Sequence, residues 1–149
     1  MREKVPALVA SPRIDVEDPG ALLVIKRHLN GETNLSPASL RNDPFYRAQF
    51  ELVAKGIAGR MDDQINSLNR QKQSILDGAT GRQGASYFQF EAKVARDRRL
   101  YAHSPDALDD INWAVSRHRQ LDAEENSLIH QSADVGRLID TIRSSFNAR

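Results

Sequence analysis

Two long stretches of the chain repeat apolar residues at spacings of three and four, the period of one face of an α-helix. In the first stretch, the repeated positions are Phe50, Val53, Ile57, Met61, Ile65 and Leu68. The second stretch forms a heptad seam, whose apolar members are Leu121, Leu128, Val135, Ile139, Ile142 and Phe146. We expect this seam to bind copies of the chain or other proteins of an assembly.

Helices over 44–77 and 105–146 would be about 50 and 60 Å long, because an α-helix rises about 1.5 Å per residue. A compact domain of this size has a radius of gyration of roughly 15 Å, so two such helices do not fit inside it. The sequence therefore predicts an all-α fold in the form of an elongated bundle of long helices. The alternative is that other chains cover the apolar seams.

Prolines mark where these helices begin. A Ser or Asp side chain can accept a free backbone N–H at a helix start, and the fixed φ of a following Pro suits the first helical position. The dipeptides with this pattern are Asp18-Pro19, Ser36-Pro37, Asp43-Pro44 and Ser104-Pro105. The predicted helices cover about 19–30, 36–42, 44–77, 86–103 and 105–146.

The domain organisation follows from these helices. Residues 1–17 form an extended N-terminal arm, and residues 18–149 form a single helical domain. Only a tight connection at 103–105 separates the last two helices, which predicts an αα-hairpin. Basic residues outnumber acidic residues over 82–103, and acidic residues outnumber basic ones over 104–126. We expect these opposite charges to pair within the hairpin or between copies.

Composition excludes several classes of protein. The chain contains no Cys, which rules out a disulfide scaffold, a thiolate zinc site and an iron–sulfur cluster. Its 21 Lys and Arg residues nearly balance 20 Asp and Glu residues, whereas domains that coat nucleic acid are usually strongly basic. No apolar run is long enough to span a bilayer, and the N-terminus lacks a signal-peptide core. We therefore expect no membrane partner and a location in the cytoplasm, or in a virion-type particle assembled there.

The sequence offers no candidate catalytic, cofactor-binding or metal-binding residues. The four histidines are His28, His103, His118 and His130, and no two have the spacing that places both on one helix face. Adjacent carboxylates such as Asp109 and Asp110 diverge by about 100° on a helix, so they do not converge on one ion. The glycine-rich loop 78–84 lacks the Lys and Ser/Thr ending of a phosphate-binding loop.

Polar residues interrupt both apolar faces. His118, Glu125 and Ser132 occupy positions of the second seam. They lie either at its solvated edge or in a buried polar layer that fixes the register of a homo-oligomer. Lys72 interrupts the apolar face of the first long helix. We expect the aliphatic stem of its side chain to lie along that face, with the ammonium group in water. Gly56 and Gly59, with Ala54 and Ala58, form a patch of small residues that favours a close helix crossing or a kink, or else is a tolerated loss of helix stability.

A basic segment supports a second hypothesis, because Lys93, Arg96, Arg98 and Arg99 follow each other closely among aromatic residues. Such a helix can contact phosphates, although aromatics at helical spacing are more simply explained by a core. The leading hypothesis is a non-catalytic structural or adaptor subunit of a larger homo-oligomeric assembly, for example a virion-type component. The alternative is a helical nucleic-acid-binding protein that uses the basic helix 93–99.

Overall fold

The structure, a computed structural model, describes residues 19–147, and these residues form five α-helices and no strand. The helices are α1 (Pro19–Leu29), α2 (Pro37–Arg41), α3 (Pro44–Thr80), α4 (Tyr87–Leu100) and α5 (Pro105–Asn147). The predicted all-α class is therefore confirmed. The predicted arm, residues 1–17, lies outside the described residues, and the elongated bundle stays a prediction.

The described residues divide into two compact units. Unit 1 contains residues 19–63 and 130–147, and unit 2 contains residues 64–129. The long helices α3 and α5 each contribute one segment to each unit. The single helical domain predicted for residues 18–149 stays a prediction, and each unit has an apolar core of its own.

The core of unit 1 is built from the apolar faces of α1, α3 and α5. Leu22 and Ile25 of α1, Phe50 of α3 and Ile142 of α5 are fully buried in it. Burying one such side chain contributes about 1.5–3 kcal/mol. On the surface of the same unit, Arg143 of α5 binds Glu51 of α3 through two hydrogen bonds of 2.9 and 3.0 Å.

Three of the four predicted capping residues are described, and each accepts a backbone N–H. The Ser36 hydroxyl accepts from Ser39, and the Ser104 hydroxyl accepts from Ala107. The Asp43 carboxylate accepts from Phe45 at 2.9 Å. Local capping chemistry therefore places the starts of α2, α3 and α5 where the sequence predicts them. The fourth residue, Asp18, lies outside the described range.

Helix α3 continues to Thr80, beyond its predicted end near residue 77. Ala79 packs against the core of unit 2, and one interior glycine costs only about 1 kcal/mol, so Gly78 does not end the helix. The Asp77 carboxylate then accepts hydrogen bonds from the Ala85 N–H at 2.9 Å and from Gln73. These hydrogen bonds fold the following loop back onto α3 and hold the pKa of Asp77 below its usual value.

Helices α4 and α5 contact each other across the short connection 101–104. Ser86 and Gln89 form a reciprocal capping box at the start of α4. The helix ends at Leu100, three residues before the predicted end, because the next residue, Tyr101, leaves the α conformation at the C-cap while its N–H still donates to the Asp97 carbonyl. Phe90 packs with Ala114 in the core of unit 2, which brings the two helices together.

Candidate functional site

His118 is buried in unit 2 beside two aromatic rings. Its ring stacks on Tyr87 at 4.9 Å and on Phe90 at 5.7 Å between centroids. Burial, followed by the positive charge of Lys72, lowers the pKa of His118. The imidazole is therefore neutral near pH 7, and it acts as a flat packing surface for the start of α4.

Lys72 forms an ion cluster with two carboxylates of α5. Its Nζ atom lies 2.7 Å from Asp122 Oδ1 and 3.6 Å from Glu125 Oε1. Burial alone would lower the pKa of Lys72, but the hydrogen bond to Asp122 and the charge of Glu125 outweigh burial and raise it. The same hydrogen bond lowers the pKa of Asp122. The Lys72 side chain is 18% exposed and that of Asp122 is 49% exposed, so the stem of Lys72 is largely covered while its ion pair lies at a partly solvated edge.

The structure separates the three polar seam residues. His118 is buried, and the Glu125 side chain is 12% exposed beside Lys72, both in unit 2. Ser132 is half-buried and belongs to unit 1. Asn69, with its amide nitrogen turned toward Glu125, donates to that carboxylate. Lys72 of α3 thus pairs with Asp122 and Glu125 of α5 within a single chain. These ion pairs favour one register of the two helices, because a shifted register would separate the opposite charges.

The apolar seam residues pack mainly inside the single chain. Leu121 is buried in unit 2, and Leu128 is half-buried there. The other members are buried in the core of unit 1, and these are Val135, Ile139, Ile142 and Phe146. A surface for a partner protein must therefore be sought among apolar side chains that remain exposed.

The most prominent such side chain in α5 is Trp113, which is 63% exposed. It stands at the rim of a groove of about 480 Å³ between α3, α4 and α5. Ile75 of α3, Val94 of α4 and Ile111 of α5 line this groove. Trp113 could not be recognised from the sequence, because an aromatic residue outside a regular apolar repeat does not show whether it faces the core or the solvent.

Charged residues of both signs lie close to this indole. Arg98 donates to Asn112, the neighbour of Trp113, at 3.3 Å. Asp109 lies one helical turn before Trp113, and Asp110 lines the groove. Within residues 19–147, no ion pair joins a cation of α4 to a carboxylate of α5, so the predicted charge pairing inside the hairpin is not observed.

A second groove of unit 2, about 500 Å³ in volume, is lined by cations. It contains Lys93, Arg96 and Arg99 of the predicted nucleic-acid contact, together with Arg82 from the loop before α4. Arg98, the remaining predicted contact, is not part of its lining and donates to Asn112 instead. Arg82 was missed because only the folding back of the loop brings it beside α4.

The described part of the chain lacks a metal-binding cluster and a bilayer-spanning helix. No group of three or more His, Asp or Glu side chains there is arranged to hold a metal ion. None of the helices within residues 19–147 combines the length and the apolar character that a bilayer span requires. The groove beside Trp113 and the groove lined by cations are therefore the candidate binding sites. No known protein family, curated protein or solved structure matches this chain.

Proposed function

We propose that this protein is a non-catalytic structural or adaptor subunit of a homo-oligomeric assembly, and that the face around Trp113 binds a second copy of the chain. The observation that carries the proposal is the 63% exposure of this indole at the rim of an apolar groove. Tryptophan is enriched among the residues that contribute most to binding energy at protein interfaces. Covering the indole and the groove would remove apolar surface from water.

The charges beside Trp113 favour a second copy as the partner. A twofold dimer brings the same face of both subunits together, so a self-complementary face needs both charge signs around an apolar centre. Arg98 supplies a cation, and Asp109 and Asp110 supply carboxylates. None of these three groups forms an ion pair within the described residues. In a dimer, Arg98 of one copy would face the carboxylates of the other.

The proposed function is the one expected from the sequence, but the proposed partner surface is the face around Trp113 instead of the apolar seam. The seam 121–146 supports the assembly only through the stability of each subunit, since most of its apolar members are buried within one chain. A virion-type component made in the cytoplasm remains a concrete example by analogy of architecture. The elongated bundle stays a prediction that small-angle X-ray scattering would test.

The test uses the one tryptophan of the chain as its own reporter. We expect light scattering and analytical ultracentrifugation of the full chain to show a dimer or larger species at micromolar concentration. As the concentration rises, Trp113 emission should shift to shorter wavelength, and acrylamide should quench it less. Higher salt should weaken the association, because charged groups contribute to it.

Matched variants locate the surface. Trp113→Gln should shift the equilibrium toward monomer at least tenfold. Leu52→Gln replaces a comparably exposed apolar residue of unit 1 (57%) and should leave the association unchanged. A chain that stays monomeric at high micromolar concentration would overturn the assembly proposal. A stable oligomer that both variants weaken equally, or that neither weakens, would place the interface elsewhere.

A further inference from the structure

We infer that the cationic groove of unit 2, formed by Arg82, Arg96, Arg99 and Phe88, binds single-stranded nucleic acid. The groove brings a loop residue and one face of α4 together. It combines guanidinium groups, which bind phosphates, with a free aromatic ring, on which a base can stack. These are the two elements that general single-strand binding requires.

The guanidinium groups of this groove are available to a ligand. Within the described part of the chain, neither Arg82 nor Arg99 forms an ion pair. Arg96 has only a long contact, 3.8 Å, to Asp97. That carboxylate already accepts hydrogen bonds of 2.7 and 3.0 Å from Lys93. Arginine donates in a planar fork that matches phosphate oxygens, so three such groups can hold a phosphate backbone.

Carboxylates are missing from the lining of this groove, as far as the described residues show. Its remaining lining consists of the uncharged Thr80, Gln89 and Ala92, together with Lys93. The excess of basic residues over 82–103 is therefore concentrated on a face that no carboxylate of α5 neutralises. A ligand that carries regularly spaced negative charges would complement this face.

Phe88 distinguishes a nucleic acid from other anions. Its side chain is 79% exposed, the highest fraction among the large exposed apolar residues of this structure's described part. An isolated apolar ring among cations gains little from a simple anion, but each base offers a flat surface for stacking. Bases in a duplex are already stacked on each other, so this ring favours an unpaired strand.

The length of the groove sets the size of the ligand. Phe88 and Arg99 lie about 17 Å apart along α4, at about 1.5 Å per residue. Successive bases of a stacked strand lie about 3.4 Å apart, so the groove spans about five nucleotides. The net charge of the whole chain is only +1, so we expect modest affinity, with a Kd of about 10 µM at moderate salt.

The first test measures fluorescence anisotropy of labelled oligothymidylate, about 15 nucleotides long, with the full chain. With three phosphate contacts, the slope of log K against log salt should be about −2. The affinity should therefore fall about twentyfold between about 50 and 200 mM salt. The groove variant, which carries R82Q, R96Q and R99Q, should bind at least tenfold more weakly at the lower salt concentration.

A matched variant controls for the loss of charge. It removes three cations of unit 2 that do not line the groove, through R70Q, R117Q and R119Q. This control should retain binding within about twofold, because its arginines supply no local contacts to the ligand. Trp113 and Arg98 are intact in both triple variants. Because Arg117 lies one helical turn after Trp113, light scattering of each variant checks that its oligomeric state is unchanged.

A third variant tests base stacking. Phe88→Ala should weaken oligothymidylate binding about fivefold or more, because stacking on an aromatic ring is lost. Duplex DNA of the same length should bind the wild-type chain more weakly than the single strand. The inference is overturned if the wild-type chain does not bind at low salt or if both triple variants weaken binding equally. It is also overturned if Phe88→Ala has no effect, or if phosphatidylserine vesicles bind the groove and oligothymidylate does not.

Discussion

His28 of α1 and Tyr46 of α3 share a buried hydrogen bond, with 2.6 Å between Nδ1 and the phenolic oxygen. The Tyr46 side chain is fully buried, and burial raises its pKa far above the usual value. The phenol therefore stays protonated, and the hydrogen bond joins it to the imidazole ring of His28. This bond satisfies two polar groups inside the apolar core of unit 1 and fixes how α1 packs against α3.

Removing the phenol should destabilise the protein. Tyr46→Phe leaves Nδ1 of His28 buried without its hydrogen-bond partner, which should lower the free energy of unfolding by about 1–2 kcal/mol. The matched control is Tyr101→Phe, because Tyr101 is 48% exposed and its change should cost less than about 0.5 kcal/mol. Urea denaturation followed by circular dichroism measures both values. Equal stability of the two variants would contradict the assigned role of the bond.

Stability should fall when the pH drops below the usual histidine range. Burial lowers the pKa of His28, and burial with the charge of Lys72 lowers that of His118. The unfolded chain therefore takes up protons at a higher pH than the folded chain does. The resulting stability is fully present above about pH 6.5, and it is lost progressively as the pH falls from there through the lower pKa values of the folded state.

Two measurements check this pH dependence. Urea denaturation should give a higher free energy of unfolding at about pH 7.5 than at about pH 5.5. An NMR titration of the imidazole protons should show His28 and His118 taking up protons below pH 6.5. Greater stability at the lower pH would show that these imidazoles are not held neutral by burial.

The ion cluster around Lys72 should be sensitive to loss of its cation. Lys72→Met leaves Asp122 and Glu125 without their shared partner, and Glu125 is only 12% exposed. We expect a loss of about 1–3 kcal/mol in the free energy of unfolding. Lys55→Met, at an exposed position of the same helix, should cost less than about 0.5 kcal/mol. Thermal denaturation of both variants provides the comparison, and a stable Lys72→Met would mean that the cluster adds no net stability.

Two glycines inside helices should be replaceable with a gain in stability. A Cβ added at Gly59 of α3 or at Gly136 of α5 meets no other atom within 4 Å. Each change to alanine should raise the free energy of unfolding by about 0.5–1 kcal/mol. Gly31→Ala should instead cost about 1–2 kcal/mol, because Gly31 has a φ of +77° after α1. Chemical denaturation should therefore give opposite signs for the two kinds of site.

The exposed position of Gly59 also bears on the alternatives for the small residues Ala54, Gly56, Ala58 and Gly59 of α3. Ala58 and Gly59 are exposed, and α3 is a continuous helix from Pro44 to Thr80. No neighbouring atom requires a glycine at residue 59, so a close crossing there is not observed among the described residues. At Gly59, a tolerated loss of helix stability agrees with the gain expected for Gly59→Ala.

The sequence by itself determined most of the helices. The apolar repeats of α3 and α5 and the caps at Ser36, Asp43 and Ser104 act within a few residues of the chain, so their signals are local. The end of α3 was harder to predict from the sequence. The packing of Ala79 and the hydrogen bond from the Ala85 N–H to Asp77 depend on residues that come into contact only after folding.

The candidate sites depended more strongly on the tertiary structure. The sequence identified Lys93, Arg96 and Arg99 as a basic segment, but only folding placed Arg82 beside them and turned Arg98 toward Asn112. It also gave no sign that Lys72 would pair with Asp122, because their contact crosses between two helices. The helical period determines which residues share a face of a helix. Tertiary contacts decide which other residues that face packs against and which charged groups remain free for a ligand.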